Sequence, residues 1–244
     1  MLAWVAGPPI AGILLTGLLH GRAGFRDLLT RMRRWRVGAR WYAVALLTAP
    51  LVFTAILLAF SLSSPEFLPR ILTTSDTASV LLFGIGWGLI GGGFLEELGW
   101  TGFAVPTLLR LRYGVLGTGL TVGVLWSVLH FPAFFYLGRP SGALPLAIFV
   151  PLDVIITVVG MTAFRVLMVW VYDRSGGSLL VAGILMHASY TAFTFILAPL
   201  TISGVAFLSV TFAEAAALWM VIAVVALVNH GHLTQQPPLR RRAA

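Results

Sequence analysis

The chain has no cysteine and no lysine, and only 10% of its 244 residues are charged. Without cysteine there is no disulfide framework, no Cys-based zinc site and no thiol nucleophile. A soluble globular domain has about 25% charged residues, whereas this chain is 59% hydrophobic with a mean hydropathy of +0.96. The composition therefore excludes a soluble fold and a disordered chain, and it predicts a polytopic membrane protein.

Long apolar runs predict about seven transmembrane helices, since roughly 20 apolar residues span one bilayer. The runs are too long and too uniformly apolar for the alternating strands of a membrane barrel. We therefore expect an all-α transmembrane helical bundle forming a single domain over residues 1–232, followed by a polar tail over residues 233–244. The predicted spans lie near residues 2–20, 41–62, 79–95, 115–136, 144–171, 178–199 and 204–228.

The arginines predict the orientation of the bundle in the cell membrane. Seven of them lie in the first linker, between residues 22 and 40, and the positive-inside rule places this linker in the cytoplasm. The other predicted cytoplasmic segments carry Arg110, Arg112, Arg174 and Arg240 to Arg242. The predicted external loops have only Arg70 and Arg139, so we expect the N-terminus outside and the C-terminus in the cytoplasm. The high pI of 11.2 does not indicate nucleic-acid binding, because no soluble basic domain is present.

Ionisable side chains inside spans are costly, so each one is a candidate functional residue. Four belong to the types that activate water: Glu96, Glu97, His130 and His187. The two carboxylates end the third apolar run, which places them near the cytoplasmic end of their span, with an extension into the interface beyond them. His130 is expected to lie deeper than the others. Three spans converging on one cavity would bring two carboxylates and two imidazoles together.

Helical spacing gives each of these spans a second polar or aromatic group on the same face. Residues four apart on a helix are neighbours, and the pairs are Glu97 with Thr101, Trp126 with His130, and His187 with Thr191. Adjacent residues point about 100° apart. We therefore expect one carboxylate of the Glu96–Glu97 pair to face the reacting water and the other to support the site.

Such a set of side chains has more than one chemical use. A Glu beside a His can take a proton from water while a second His and a hydroxyl bind the developing oxyanion. Alternatively, Glu96, His130 and His187 hold a zinc ion that acidifies its bound water, although the sequence has no HExxH motif. Isolated groups of these types also serve as hydrogen-bonded packing residues.

Three further ionisable residues lie in predicted spans. Asp153 and Arg165 are twelve residues apart on one span, too far to pair with each other, and we interpret them as interhelical or interfacial structural groups. Glu214 lies about mid-span, where we expect a hydrogen-bonded packing role. The glycines at 84, 86, 88, 91, 92 and 93 are consistent with a close-packing helix surface.

The stretches EELGWTGFAVP, WSVLHFP and GSLLVAGILMHASYT together resemble the CAAX prenyl-protease and bacteriocin-processing family, CPBP, of intramembrane proteases. The family signature is Glu-Glu-x-x-x-Arg, then aromatic-x-x-x-His, then His-x-x-x-Asn, on successive helices. The resemblance covers about residues 80–200. It implies that Glu96 activates water, that Glu97 is the second motif glutamate, that His130 partners Glu96 and that His187 helps polarise the scissile carbonyl.

This sequence departs from the family pattern at three positions. Trp126 stands where the family usually has Phe, a mild change. Thr101 replaces the motif arginine, so a charged donor that could hold Glu97 is lost. Thr191 replaces the motif asparagine, so a hydroxyl takes the place of an amide donor. Losing one oxyanion donor typically costs about 10²–10³ in rate.

Three functions are consistent with these features. The first is an intramembrane endopeptidase that acts on a membrane-associated or prenylated protein, in a cavity opening toward the cytoplasmic half, with zinc left open as a cofactor. The second is a catalytically degenerate membrane scaffold or immunity protein, which the two threonines favour. The third is a proton-coupled transporter, although the chain shows no internal repeat of the kind such proteins have.

Overall fold

The computed structural model describes residues 2–137, 144–229, 231, 233 and 234. Arg139 and the three tail arginines, on which part of the predicted orientation rests, lie outside these residues. The described residues form seven long helices and no strand. The helices are α1 (Leu2–Met32), α2 (Ala39–Ser61), α3 (Thr77–Arg110), α4 (Gly114–Leu137), α5 (Leu146–Arg174), α6 (Leu179–Leu197) and α7 (Gly204–Val228).

Six of these helices, α2 to α7, are long and apolar enough to cross a membrane. The predicted class, an all-α multi-pass membrane protein, is therefore confirmed, and the span count becomes six rather than about seven. The remaining predicted span, residues 2–20, is the apolar part of α1, which is not among the six.

Helix α1 reverses direction at Gly21. This residue has φ 54° and ψ −145°, a conformation that glycine adopts without steric cost. The chain then folds back on itself, because Gly17 comes to lie against the ring of Phe25 and Leu28 packs onto Gly102 of α3. The linker predicted over residues 22–40 is thus helical as far as Met32.

Helix α3 is longer than predicted and carries both carboxylates near its middle. It runs continuously over 34 residues, whereas the apolar run predicted a span over 79–95. Two segments of it are π-helical, Gly88–Glu96 and Trp100–Ala104, and such wide turns are frequent at functional sites. This part of α3 is packed inside the bundle, where Glu97 is 0% exposed, and the expected extension into the interface stays a prediction.

Asp76 begins α3 as an N-cap. Its side chain accepts a hydrogen bond from the Ser79 N–H at 3.0 Å, which satisfies one backbone donor of the first turn. That hydrogen bond favours the carboxylate and holds the pKa of Asp76 below its ordinary value.

Glycines bring the helices into two tightly packed pairs. In the α3–α6 pair, a Cβ at Gly88 would lie 2.5 Å from the Ala188 carbonyl oxygen, so the two backbones are in contact. In the α4–α5 pair, Cβ atoms at Gly119 and Gly123 would lie 2.6 Å and 2.7 Å from the Cα atoms of Val166 and Thr162. Small residues at such positions allow close backbone approach in a membrane, as the glycine pattern predicted.

The arginine-rich segments meet at one end of the bundle. Asp27 in α1 forms ion pairs with Arg31 at 3.0 Å and with Arg110 at the end of α3 at 3.4 Å. The Ser178 hydroxyl, just before α6, donates to the Arg34 carbonyl at 2.7 Å. The first linker, the end of α3 and the segment before α6 therefore lie at the same end of the bundle, as alternation of the spans predicts.

The contact of α1 with α3 gives a testable prediction. A Cβ at Gly12 would lie 2.7 Å from both the Gly99 Cα and the Leu98 carbonyl oxygen, whereas nothing lies within 4 Å of a Cβ at Gly7. We expect Gly12→Ala to lower the thermal unfolding temperature in detergent, by overpacking worth about 1–3 kcal/mol. Gly7→Ala on the same helix is the matched control, and equal melting temperatures for the two variants would contradict this packing.

Candidate active site

Glu97 is the buried centre of a hydrogen-bond network that joins three helices. The Arg165 Nη1 group of α5 donates to both of its oxygens, at 2.8 Å and 3.0 Å. His187 of α6 lies with Nδ1 2.7 Å from Oε1, and the Thr101 hydroxyl donates to Oε2. Because a carboxylate only accepts, Nδ1 carries a proton and the second nitrogen of His187 is turned away from Glu97.

Glu96 faces a different set of partners on α4. The Trp126 indole N–H donates to its Oε2 at 2.8 Å, and its Oε1 lies 3.6 Å from the His130 Nε2. The two carboxylates therefore point to different neighbours, as their 100° separation on the helix predicts.

The position of one His130 proton follows from the nitrogen that faces Trp126. Nδ1 lies 2.8 Å from the Trp126 carbonyl oxygen, which only accepts, so Nδ1 carries a proton. Nε2 of His130 faces Oε1 of Glu96 at 3.6 Å. At such a separation a water molecule beside the pair can contact both groups.

A second polar position lies above Gly92, where α3 has no side chain. A Cβ at this residue would lie 2.5 Å from the Thr191 hydroxyl oxygen and 3.0 Å from the His187 Nε2. The two atoms therefore lie side by side against the Gly92 backbone, an approach that only glycine permits, and both residues line the same cavity.

A cavity of about 300 Å³ reaches these groups, with Glu96, His130 and His187 in its wall. It adjoins a larger cavity of about 940 Å³, bordered by the loop at residues 198–203 between α6 and α7. Five residues line both cavities: Phe53, Thr194, Phe207, Thr211 and Glu214. This loop follows α6, which begins beside the arginine-rich end, so the larger cavity lies toward the other end of the bundle. The expected opening of the site toward the predicted cytoplasmic half stays a prediction.

The structure brings together all seven residues that the sequence singled out for the site. The expectation that His130 lies too deep is wrong, because the true length of α3 moves Glu96 away from the end of its span and level with His130. Glu214 is not simply a packing residue, since it borders both cavities. Asp153 accepts a hydrogen bond from Thr157 at 3.2 Å and is not among the groups that contact Glu96 or Glu97.

Arg165 is the site residue that sequence analysis missed. Its guanidinium carbon also lies 4.3 Å from the centre of the Trp126 ring, in a cation–π contact. The sequence indicates an interhelical or interfacial role for Arg165 but identifies no partner, and the structure gives that partner as Glu97 on another helix, 68 residues away. The available signal was the loss of the motif arginine at Thr101, which leaves Glu97 in need of a cation.

Zinc fits this arrangement poorly. Among the described residues, no three His, Asp or Glu side chains are grouped so that they could hold a metal ion. His187 turns Nδ1 to Glu97, and its Nε2 faces Gly92 and Thr191 rather than the Glu96–His130 pair. A zinc site formed by Glu96, His130 and His187 stays a prediction, and no catalytic step is derived through it.

Comparison with known proteins finds similarity in the same part of the chain. The Rce1-like family, described as type II CAAX prenyl endopeptidases, matches residues 77–193, which contain the whole site. A CAAX prenyl protease 2 from Methanococcus maripaludis is 27% identical over 147 residues, covering 55% of this chain and 50% of that protein. The chain thus matches about half the length of this curated relative. Both findings support the CAAX-protease (CPBP) family that the motifs indicate, and over residues 77–193 this multi-pass membrane protein is similar to members of that family.

Proposed function

We propose that this protein is an intramembrane endopeptidase that hydrolyses a peptide bond in a membrane-associated or prenylated protein. The observation that carries the proposal is the Glu96–His130 pair, with Oε1 and Nε2 3.6 Å apart in the wall of a cavity. This pair holds and polarises a water molecule. His187 Nε2 and the Thr191 hydroxyl, which lie side by side against Gly92, receive the carbonyl oxygen of the scissile bond.

In the proposed reaction, Glu96 acts as the general base. It takes one proton from the water while His130 accepts a hydrogen bond from the other O–H, and the oxygen attacks the scissile carbonyl carbon. The tetrahedral intermediate collapses as the C–N bond breaks. The proton held by Glu96 passes to the leaving nitrogen, so the products are a carboxylate and an amine.

The developing oxyanion is stabilised from α6. His187 donates from Nε2 when it carries two protons, and Glu97 at Nδ1 stabilises the positive charge of that imidazolium. The Thr191 hydroxyl supplies a second donor. Donors that are already aimed at the oxyanion position typically contribute about 10²–10³ in rate each.

The substrate class is inferred from the cavity and the relative. Apolar side chains such as Phe53, Met161 and Phe207 form much of the wall that adjoins the catalytic groups. Such a wall accepts apolar peptide side chains or an isoprenoid chain. The relative is named a CAAX prenyl protease, which makes a prenylated protein the first candidate.

A catalytically degenerate scaffold is the second candidate. Its support in the sequence came from Thr101 and Thr191. Arg165 supplies the cation that Thr101 lacks, which removes half of that support, and Thr191 still presents a hydroxyl to the site.

We expect Glu96→Gln to lower kcat by about 10²–10⁴-fold, since the amide cannot accept the proton of the water. The measurement is cleavage of a farnesylated peptide ending in Cys-a-a-X, and of its unprenylated form, by protein purified in detergent. Asp153→Asn is the control, because it makes the same change at a buried carboxylate outside the site. Equal cleavage by Glu96→Gln and wild type would contradict the role of Glu96 as general base. No cleavage by wild type would favour the scaffold function. Metal analysis of the same samples tests the zinc prediction.

We expect Gly92→Ala to abolish most of the activity while the protein stays folded. The added methyl group would collide with the Thr191 hydroxyl and the His187 Nε2, so both donors would be displaced from the positions that face the cavity. A loss on the order of 10²-fold or more corresponds to these donors. Gly86→Ala is the matched control on the same helix, because nothing lies within 4 Å of its Cβ position. Full activity of Gly92→Ala would show that the oxyanion binds elsewhere.

A further inference from the structure

Arg165 is a charged side chain placed where a charge is expensive. It lies in the middle of α5, is 0% exposed, and has two donors, Nε and Nη2, without a hydrogen-bond partner. A buried ion pair contributes little to stability compared with apolar residues of the same volume. The unpaired donors make this position still more costly, so packing alone does not account for an arginine here.

The contacts of Arg165 reach both halves of the site. Its Nη1 alone contacts both oxygens of Glu97, and Glu97 Oε1 in turn fixes Nδ1 of His187. Its guanidinium plane also lies against Trp126, whose indole N–H holds Oε2 of Glu96. Arg165 is therefore linked to His187 through Glu97, and to Glu96 through Trp126.

We propose that Arg165 is the positioning residue of this site, a cation supplied from α5 in place of one on α3. By holding Glu97 as a carboxylate acceptor, it keeps a proton on Nδ1 of His187 and holds Nε2 beside the Thr191 hydroxyl. This inference rests on the proposed endopeptidase. It assigns a role to a residue outside the three sequence motifs, and it explains how Thr101 is tolerated four residues after Glu97.

The chemistry of the contact leads to a specific set of variants. Because a single nitrogen of Arg165 contacts Glu97, the lone ammonium of lysine can replace it, whereas methionine keeps the apolar length and loses the charge. The double variant Thr101→Arg with Arg165→Met moves the cation back to α3, beside the same carboxylate. Thr162→Val is the folding control, since Thr162 is buried one turn away on α5 with no hydrogen bond from its hydroxyl.

The first measurement is kcat and KM on the peptide that wild type cleaves. We expect Arg165→Met to lower kcat by on the order of 10–100-fold with KM changed less than about 3-fold, as for other residues that orient a catalytic group from behind. Arg165→Lys and the double variant are expected to recover most of that loss. Thr162→Val is expected to keep wild-type values.

The second measurement does not depend on proteolysis. In protein labelled with ¹⁵N-histidine, the ring nitrogens of His187, assigned with a His187→Gln variant, report which nitrogen is protonated. We expect a protonated Nδ1 in wild type and Arg165→Lys, loss of that proton from Nδ1 in Arg165→Met, and its return in the double variant. If wild type cleaves no peptide, the proposed function fails, but these signals still test the positioning role.

Two results would overturn the inference. One is an Arg165→Met protein with wild-type kcat and unchanged His187 signals. The other is a loss of kcat that neither the lysine variant nor the relocated arginine reverses, with the His187 signals still unchanged, because that pattern indicates a purely structural tie between α3 and α5.

Discussion

A carboxylate in the interior of a membrane protein remains charged only where a cation compensates it, and in this protein that constraint is met by Arg165 facing Glu97. The rest of the site is arranged around this ion pair. It joins α5 to α3, it supplies the acceptor that orients His187, and it brings a guanidinium onto the ring that holds Glu96.

Much of the site could be predicted from the sequence because its members lie in short, ordered motifs. Glu96, Glu97, His130 and His187 stand out as intramembrane ionisable residues, and helical spacing places their neighbours on the same faces. Arg165 could not be found in this way. Its partner lies on another helix, 68 residues away, and spacing along one helix carries no information about which helices touch.

The length of α3 escaped prediction for a related reason. An apolar run ends, by composition, at the first pair of carboxylates, so the predicted span stopped at residue 95. The carboxylates are buried because other helices supply their partners, and the helix continues past them to Arg110. Because the sequence does not show which helices contact one another, it also placed Glu96 and His130 at different depths.

The two glycine-packed helix pairs have a mechanical consequence. Within α3–α6 and within α4–α5, backbones touch directly, so the arrangement inside each pair is fixed at its glycines. The 3.6 Å separation between Glu96 on α3 and His130 on α4 crosses the boundary between the two pairs. The spacing on which the proposed water depends is therefore set by the packing of one helix pair against the other.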